Sequence, residues 1–423
     1  MKKIILSIAI ALSSQLIYAQ TDLSLGDAIK IGLENNYGIQ ISRNLTEQAS
    51  LRNTWGMAGA LPSLTFNSTG FFNEELEMSK TNINAQATAT INYTLFDGFS
   101  IRATKAQLEN NASLTKGFEM IEIETTIQSI INSYYYVLLQ QKMLELNKTI
   151  YDISSDRYER QKNANEIGTG GRYEFVLAQT DYLIDKTSYM TQQVTLASAI
   201  RSFNLLLNAP LENVWNLTDQ FDVPTADYEL ATMKDMMLAN NTNLKNQYLN
   251  LQSKEIEIKK MRSELYPSIG LNASMGLGVN KIDEVKTKFY RPQVGFNVSY
   301  TLFNGGKNRR NISIAKLDKE AENLRTEEIK LSLESELLTQ FDTFTTYKHL
   351  ASLENEKMAA AKVLLDLSEE RYQAGSINSF NYREVQLSYL RSAISQLNST
   401  LELIVANTEL LRLTGGILGE EMK

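Results

Sequence analysis

The sequence predicts a mainly helical protein with a small set of β-strands long enough to cross a bilayer, built as a tandem duplication. Three observations predict it: a repeat at a nearly fixed offset, long proline-free tracts with a seven-residue apolar period, and segments of strict apolar–polar alternation. Tyr93-Thr94-Leu95-Phe96-Asp97-Gly98 recurs as Tyr300-Thr301-Leu302-Phe303-Asn304-Gly305, 207 residues later, and Gly168 and Gln179 recur as Gly375 and Gln386. Earlier in each repeat the offset is 205, pairing Asn35-Asn36 with Asn240-Asn241 and Leu61-Pro62-Ser63-Leu64 with Tyr266-Pro267-Ser268-Ile269. Two copies of one unit should build a pseudo-symmetric object.

Residues 1–19 read as an export signal: Lys2 and Lys3, a mostly apolar run from Ile4 to Ile17, and small Ala19 at the cleavage point. No stop-transfer pattern follows, which favours release over an uncleaved anchor. Cleavage near Ala19 leaves a first structural repeat, 20–215, and a second, 216–423, with Pro210 and Pro224 bracketing the join. Each repeat opens with a helix, about Ser24 to Gly59 and Tyr228 to Leu265.

Strands follow, at about 62–97 and 267–303. Ile83, Ala85, Ala87, Ala89, Ile91, Tyr93 and Leu95 alternate with Asn84, Gln86, Thr88, Thr90, Asn92 and Thr94. Ile269 to Val279 alternate likewise, as do Val294 to Leu302, a run that Pro292 opens. Leu64, Phe66 and Phe72 share one face of a less regular run. Alternation gives one apolar and one polar face. A soluble sheet on a core would also read this way. Three details favour a membrane: runs near the length of a tilted bilayer-spanning strand, polar faces of Asn, Thr, Ser and Gly, and aromatics clustered at the strand ends. Those aromatics are Tyr93, Phe96, Phe99, Phe289, Tyr290, Tyr300 and Phe303.

Two long helices come next, about Arg102 to Asn163 and Asn308 to Ala374, with no proline in either. Ile123, Ile130, Val137, Leu144, Tyr151 and Tyr158 are spaced by seven, as are Leu337, Phe344, Ala351, Met358 and Leu365. That period keeps one seam on a neighbouring helix. Each rod ends at glycines, in Gly168-Thr169-Gly170-Gly171 and Gly375-Ser376, which supply a left-handed helix end. Return helices, Tyr173 to about Leu207 and Phe380 to about Leu413, complete two antiparallel hairpins.

Composition narrows the function. The 423 residues include no cysteine and one histidine, His349, and carry a net charge of -7. Disulfides, Fe–S clusters and thiol catalysis are excluded. Nucleic acid is an unsuitable partner, because neutralising phosphates needs clustered Lys and Arg. Catalysis needs a convergent set of groups, and only carboxylates and hydroxyls remain, so no enzyme, metal or cofactor is expected. After the signal, no stretch reaches the roughly 18 apolar residues of a transmembrane helix. Four strands leave open edges, which cannot face lipid, so several chains must close the sheet. Two would give eight strands around a filled interior, and three would give twelve around a passage.

The series Leu23-Ser24-Leu25-Gly26-Asp27-Ala28, Glu34-Asn35-Asn36, Leu61-Pro62-Ser63-Leu64 and Tyr93-Thr94-Leu95-Phe96-Asp97-Gly98 resembles the TolC-type outer membrane efflux proteins, or outer membrane factors. The second repeat, with Arg262 to Ser268 and Leu302-Phe303-Asn304-Gly305-Gly306-Lys307, resembles them more closely. Asn36-Tyr37 departs from the Asn-Pro often found there, a local bend. The resemblance implies a homotrimer whose twelve-stranded β-barrel, four strands per chain, lies in outer-membrane lipid of a Gram-negative bacterium. The barrel would continue into an α-helical coiled-coil barrel across the periplasm. It implies a passive exit duct of a tripartite efflux pump or type I secretion system. An inner-membrane transporter of RND or ABC type would supply it through a periplasmic adaptor (membrane fusion protein).

In that family, acidic residues six and nine positions after the hairpin glycine line the periplasmic constriction. Counted from Gly375 these are Asn381 and Glu384, one amide and one acid. The residue six after Gly168 is Glu174. Glu384 with Asn381 is thus the candidate constriction, with Glu174, Arg172 and Tyr372 as contacts that hold the hairpins closed. Gly168, Thr169, Gly170, Gly171, Gly375, Ser376 and Ile377 at the tips are candidates for adaptor docking. Ordinary solvated side chains on helix ends would read the same way. The alternative function is an exported coiled-coil adaptor or structural protein without a pore.

Overall fold

The computed structural model describes residues 21–75, 80–222, 224, 226–282 and 285–420. The export signal lies outside them. In chain order the elements are β1 (Thr21–Leu23), α1 (Leu25–Asn35), α2 (Tyr37–Arg52), β2 (Ser63–Glu75), β3 (Lys80–Asp97), α3 (Ser100–Glu166) and α4 (Arg172–Leu207). The second repeat follows with β4 (Trp215–Leu217), α5 (Leu230–Asn240), α6 (Thr242–Ser263), β5 (Ser268–Ile282), β6 (Val285–Ser299), α7 (Lys307–Gln373), α8 (Ser379–Leu413) and a short α9 (Ile417–Glu420). Helices α3 and α7 each run for 67 residues. Two compact units form, and each draws on both repeats: residues up to 40, 121–241 and from 332 on make one, and 41–120 with 242–331 make the other.

In the first unit the core joins Leu23, Ala28, Ile29, Ile130, Tyr134, Val137, Phe203 and Leu207. A Cβ on Gly32 would stand 2.2 Å from Ile130 Cδ1, so α1 lies close on α3 and a side chain at 32 would force Ile130 to shift. The Tyr134 hydroxyl sits 2.6 Å from Asp219 Oδ2 and 3.0 Å from the Leu23 carbonyl oxygen. Asp219 Oδ2 also accepts the Leu25 N–H at 2.7 Å, satisfying a donor of the first turn of α1. The parallel pair β1–β4 is too short to have shown in the sequence.

Each expected opening helix is broken in two. Asn36 has extended backbone (ψ 128°), and its Oδ1 accepts the N–H groups of Gly38 (2.8 Å) and Ile39 (3.3 Å), capping α2. Tyr37 is therefore the first residue of α2, the position that favours proline. Asn36 Nδ2 donates to the Leu206 carbonyl at 3.0 Å, and Asn241 Nδ2 donates to the Leu413 carbonyl at 3.0 Å. The repeated asparagine thus makes the same tie in both repeats, from helix break to the end of the return helix.

The second unit holds a four-stranded antiparallel sheet in the order β2-β3-β5-β6. Its register gathers the alternating series into two faces. Leu64, Ile91, Ala273 and Val294 form one cross-strand row, and Phe66, Ala89, Met275 and Pro292 form the next on the same face. Between them lies a row of Thr65, Thr90, Ser274 and Gln293 on the other face. Two sequence expectations change. A bulge between Thr94 and Phe96 moves Leu95 out of the apolar series and brings Phe96 opposite Ile269. Strand β6 spans Val285–Ser299, so Pro292 lies inside it, which an edge strand tolerates.

A tight corner joins strand to helix in both repeats. Gly98 and Phe99 have φ of 67° and 71°, and Gly305 and Gly306 have 66° and 80°. Asp97 Oδ2 caps α3 through the Ile101 N–H at 2.7 Å. A Cβ on Gly98 would lie 2.3 Å from the Ser263 carbonyl oxygen, so only glycine fits. Where the second repeat uses Gly306, the first holds Phe99, at a strain cost of about 1–3 kcal/mol.

Candidate functional site

The hairpin tips follow from helix termination. At the end of α3 the N–H groups of Thr169 and Gly170 both reach the Ala164 carbonyl (2.9 and 2.8 Å), with Gly168 at φ 75°. At the end of α7 the Ser376 N–H reaches the Arg371 carbonyl at 2.8 Å, with Gly375 at φ 69°. Helix α8 is then capped by Asn378, whose Oδ1 accepts the Asn381 N–H at 2.9 Å. Gly168, Thr169, Gly171, Gly375 and Ser376 are exposed, and Gly170 and Ile377 are half-buried.

The candidate constriction residues separate into two groups. Asn381 and Glu384, three residues apart, are both exposed, while Tyr382, Arg383 and Gln386 are buried. Helical spacing puts the first two on one face. Tyr372 stacks on buried Tyr382 at 4.8 Å and 8°, a contact inside its own hairpin. Burial, with Glu369 nearby, raises the Tyr382 hydroxyl pKa above its ordinary value. Arg172 and Glu174 are exposed on the first turn of α4 and make no ion pair among the described residues. The Glu174 carboxylate folds back over Gly171, to within 2.0 Å of where a Cβ would stand.

A buried ion network that sequence reasoning missed joins the two hairpins. Arg383 on α8 grips Asp185 on α4 with both terminal nitrogens, at 2.8 and 2.7 Å, and its Nε lies 3.7 Å from Asp181 Oδ1. Asp181 also receives Nη2 of Arg157 on α3. Arg157 is 1 % exposed and its Nε and Nη1 have no hydrogen-bond partner. The signal lies in the row Ala178, Asp181, Asp185, at i, i+3 and i+7: all three are buried, so two carboxylates occupy the packing stripe. Offset by 207, these acids become Ser388 and Ser392, so the repeat comparison hid them.

Below and above this network the first hairpin is sealed by aromatics at heptad spacing. Tyr158 stacks on Tyr182 at 5.0 Å and on Phe175 at 5.9 Å, and Tyr151 stacks on Tyr189 at 5.6 Å. Among the described residues no group of three or more His, Cys, Asp or Glu is placed to hold a metal, and no helix is long and apolar enough to cross a membrane.

Residues 234–416 match the family model described as outer membrane efflux protein. The pyoverdine export outer membrane protein OpmQ of Pseudomonas aeruginosa is 21% identical over 71% of this chain and 63% of its own length. The aligned part therefore spans less than two thirds of that relative. The toluene efflux pump outer membrane protein TtgI of Pseudomonas putida is 20% identical over 73% of this chain and 67% of its own. In fold, the chain is similar to the CmeC outer membrane channel of Campylobacter jejuni, with a TM-score of 0.76 at 15% identity, covering 93% of this chain and 85% of that one. It is similar also to the open MtrE outer membrane channel of Neisseria gonorrhoeae, with a TM-score of 0.73 at 18% identity, covering 93% and 89%. Duplicated hairpins, four alternating strands and these likenesses agree: the second repeat matches the outer membrane efflux protein model, and the chain has the fold of the outer membrane channels CmeC and MtrE.

Proposed function

We propose that this protein is a passive outer-membrane exit duct, closed as a homotrimer. The observation that carries the reading is the sheet. Its apolar face is uncovered within the chain: Phe66, Val294 and Phe296 are 72, 77 and 77 % exposed. Both edge strands, β2 and β6, have one unpaired side among the described residues. A bilayer resolves both defects only if neighbouring chains pair the edges and lipid covers the face. From Ile83 to Phe96 the face extends on the order of 40 Å along the strand, or about 30 Å of height at a 45° tilt, the thickness of a bilayer core. Aromatics of this face lie toward both ends, with Phe72 and Tyr290 at one and Tyr93 and Phe96 at the other. Three chains give twelve strands and a passage. Reconstitution into planar bilayers tests the reading: discrete conductance steps from a trimeric preparation are expected, and a monomer that never inserts would overturn it.

The duct would sit in the outer membrane of a Gram-negative bacterium after cleavage near Ala19. A periplasmic adaptor would dock on the two hairpin tips, and an RND- or ABC-type inner-membrane transporter would supply the energy. Three Glu384 carboxylates would form an anionic ring with Asn381 at the narrowest point, a device for cation selectivity. The Arg157–Asp181–Arg383–Asp185 network would tie the two hairpins of a protomer together when the duct is shut. Arg172, Glu174 and Tyr372 would act locally at the tips. The relatives are named for pyoverdine, solvent and toluene efflux, which supports a duct for small molecules handed over by a pump.

A further inference from the structure

We propose a binding site for the phosphate headgroup of an anionic phospholipid where β3 turns into α3. It rests on the reading of the sheet as a membrane band. A cavity of about 400 Å³ opens there between the start of α3 and the end of α6. Three cations line it, Arg102, Lys259 and Arg262, together with the rings of Phe99 and Tyr266, and no carboxylate does.

Among the described residues none of the three cations is held by a close carboxylate, and Lys259 acts on Glu255 only as a charge beyond ion-pair distance. None of the three forms an ion pair among the described residues, although basic side chains elsewhere in the chain do. Glu255, one turn before Lys259, is taken by Lys319 at 2.6 Å. Asp97, the acid nearest Arg102 in sequence, caps α3 through the Ile101 N–H. Arg102 stands over the Phe99 ring at 5.4 Å, an arrangement that leaves its N–H edge free for a bidentate acceptor. In a chain of net charge -7, three such cations around one cavity call for an anion.

The aromatic wall is retained against a backbone cost. Phe99 holds φ 71°, and the second repeat answers the same requirement with Gly306. The Phe99 ring meets Phe96 edge-on at 5.3 Å and Tyr266 at 6.0 Å, so it bridges the last apolar row of the sheet and the cavity. A strained bulky residue at a ligand-sized cavity points to use. At the 205-residue offset, Lys259, Arg262 and Tyr266 correspond to Thr54, Met57 and Leu61; Arg102 alone has a cationic counterpart, Arg309, so the cluster of three belongs to one junction and not to the repeat.

The level of the cavity selects the ligand. Phe96 is the last apolar-face residue of β3, and Tyr266 lies two residues before β5 begins. The site therefore sits at the edge of the lipid-facing band, where headgroups lie and where aromatic and basic residues anchor membrane proteins. A phosphodiester would pair with the guanidinium groups of Arg102 and Arg262, with Lys259 as a point charge. Its acyl chains would run up the face carrying Phe96.

The test uses the full-length assembled protein in detergent, titrated with phosphatidylglycerol, phosphatidylethanolamine and inorganic phosphate and read by native mass spectrometry. Wild type should prefer phosphatidylglycerol. Together Arg102→Gln, Lys259→Gln and Arg262→Gln should weaken that binding by about a hundredfold, each cation contributing a factor of about five. Arg262→Gln alone, at an exposed position without an ion pair, should cost about fivefold and serves if the triple variant fails to assemble. Arg309→Gln, at the other junction, should change nothing. Unaltered phosphatidylglycerol binding by an assembled Arg262→Gln protein would overturn the site. Displacement by millimolar inorganic phosphate would overturn the lipid assignment in favour of a free anion. A protein that never enters bilayers fails the duct reading instead, so the two failures are distinguishable.

Discussion

Replacing Asp185 with alanine isolates the pair that joins α4 to α8. Asp185 and Arg383 are 5 % and 7 % exposed, so solvent cannot take over the stranded charge. Removing one partner of a buried ion pair costs about 3–5 kcal/mol. Arg383 would keep the 3.7 Å approach of Asp181 Oδ1, which places the cost near the lower end, about 3 kcal/mol. That is roughly two powers of ten in the equilibrium between joined and separated hairpins. The assay is conductance in planar bilayers alongside thermal unfolding. D185A should raise the time-averaged conductance and lower the unfolding midpoint. The double variant D185L/R383M, which removes both charges, should recover stability, since well-packed apolar replacements of buried pairs are often neutral. Unchanged conductance with an unchanged midpoint in D185A would refute the latch.

Three other substitutions probe separate links in the account. Glu384→Ala should abolish cation preference without lowering the unfolding midpoint, as expected of an exposed ring-forming carboxylate; unchanged selectivity in the same bilayers removes the ring. Gly98→Ala should destabilise by at least about 2 kcal/mol, combining a left-handed φ with a backbone clash, whereas Gly168→Ala, with nothing within 4 Å, should cost only about 1 kcal/mol; denaturant midpoints compare them. Burial and Asp219 raise the Tyr134 hydroxyl above its ordinary 10.0, so the folded state favours the neutral phenol. Its contribution is fully present below pH 10.0 and declines as pH rises beyond that value. Tyr134→Phe should flatten that alkaline decline while costing about 1 kcal/mol at neutral pH for the lost hydrogen bonding.

Periodic features were legible because repetition averages over local detail. The heptad rows reappear as buried or half-buried positions, with Leu337, Phe344 and Ala351 all below 4 % exposure and Ile123, Leu144, Tyr151, Tyr158 and Met358 half-buried. The two-residue period reappears as the cross-strand rows of the sheet. Single-residue devices were not legible. The break at Asn36 depends on a side chain reaching Leu206, 170 residues away. The bulge at Thr94/Phe96 is one inserted residue in a ladder, invisible to an alternation that continues through Leu95 in sequence. The start of β6 before Pro292 follows from its place at the sheet edge, which only the strand order reveals. At the hairpins, counting from Gly375 found exposed Glu384 and Asn381. It passed over Arg383 between them, because an arginine on a long helix reads as solvated until its partner on another helix is known.

The central claim is that β2 of one chain pairs with β6 of the next until three chains close a ring. The sequence contains no cysteine, so introduced pairs report cleanly. The direct measurement is a scan of double cysteine variants, one site in Leu64–Phe72 and one in Phe289–Val298, oxidised in the membrane and run under denaturing, non-reducing conditions. Closure predicts cross-linked dimers and trimers and nothing larger, at registers that follow the antiparallel ladder. Monomers at every pair, or a ladder continuing past three chains, would contradict it.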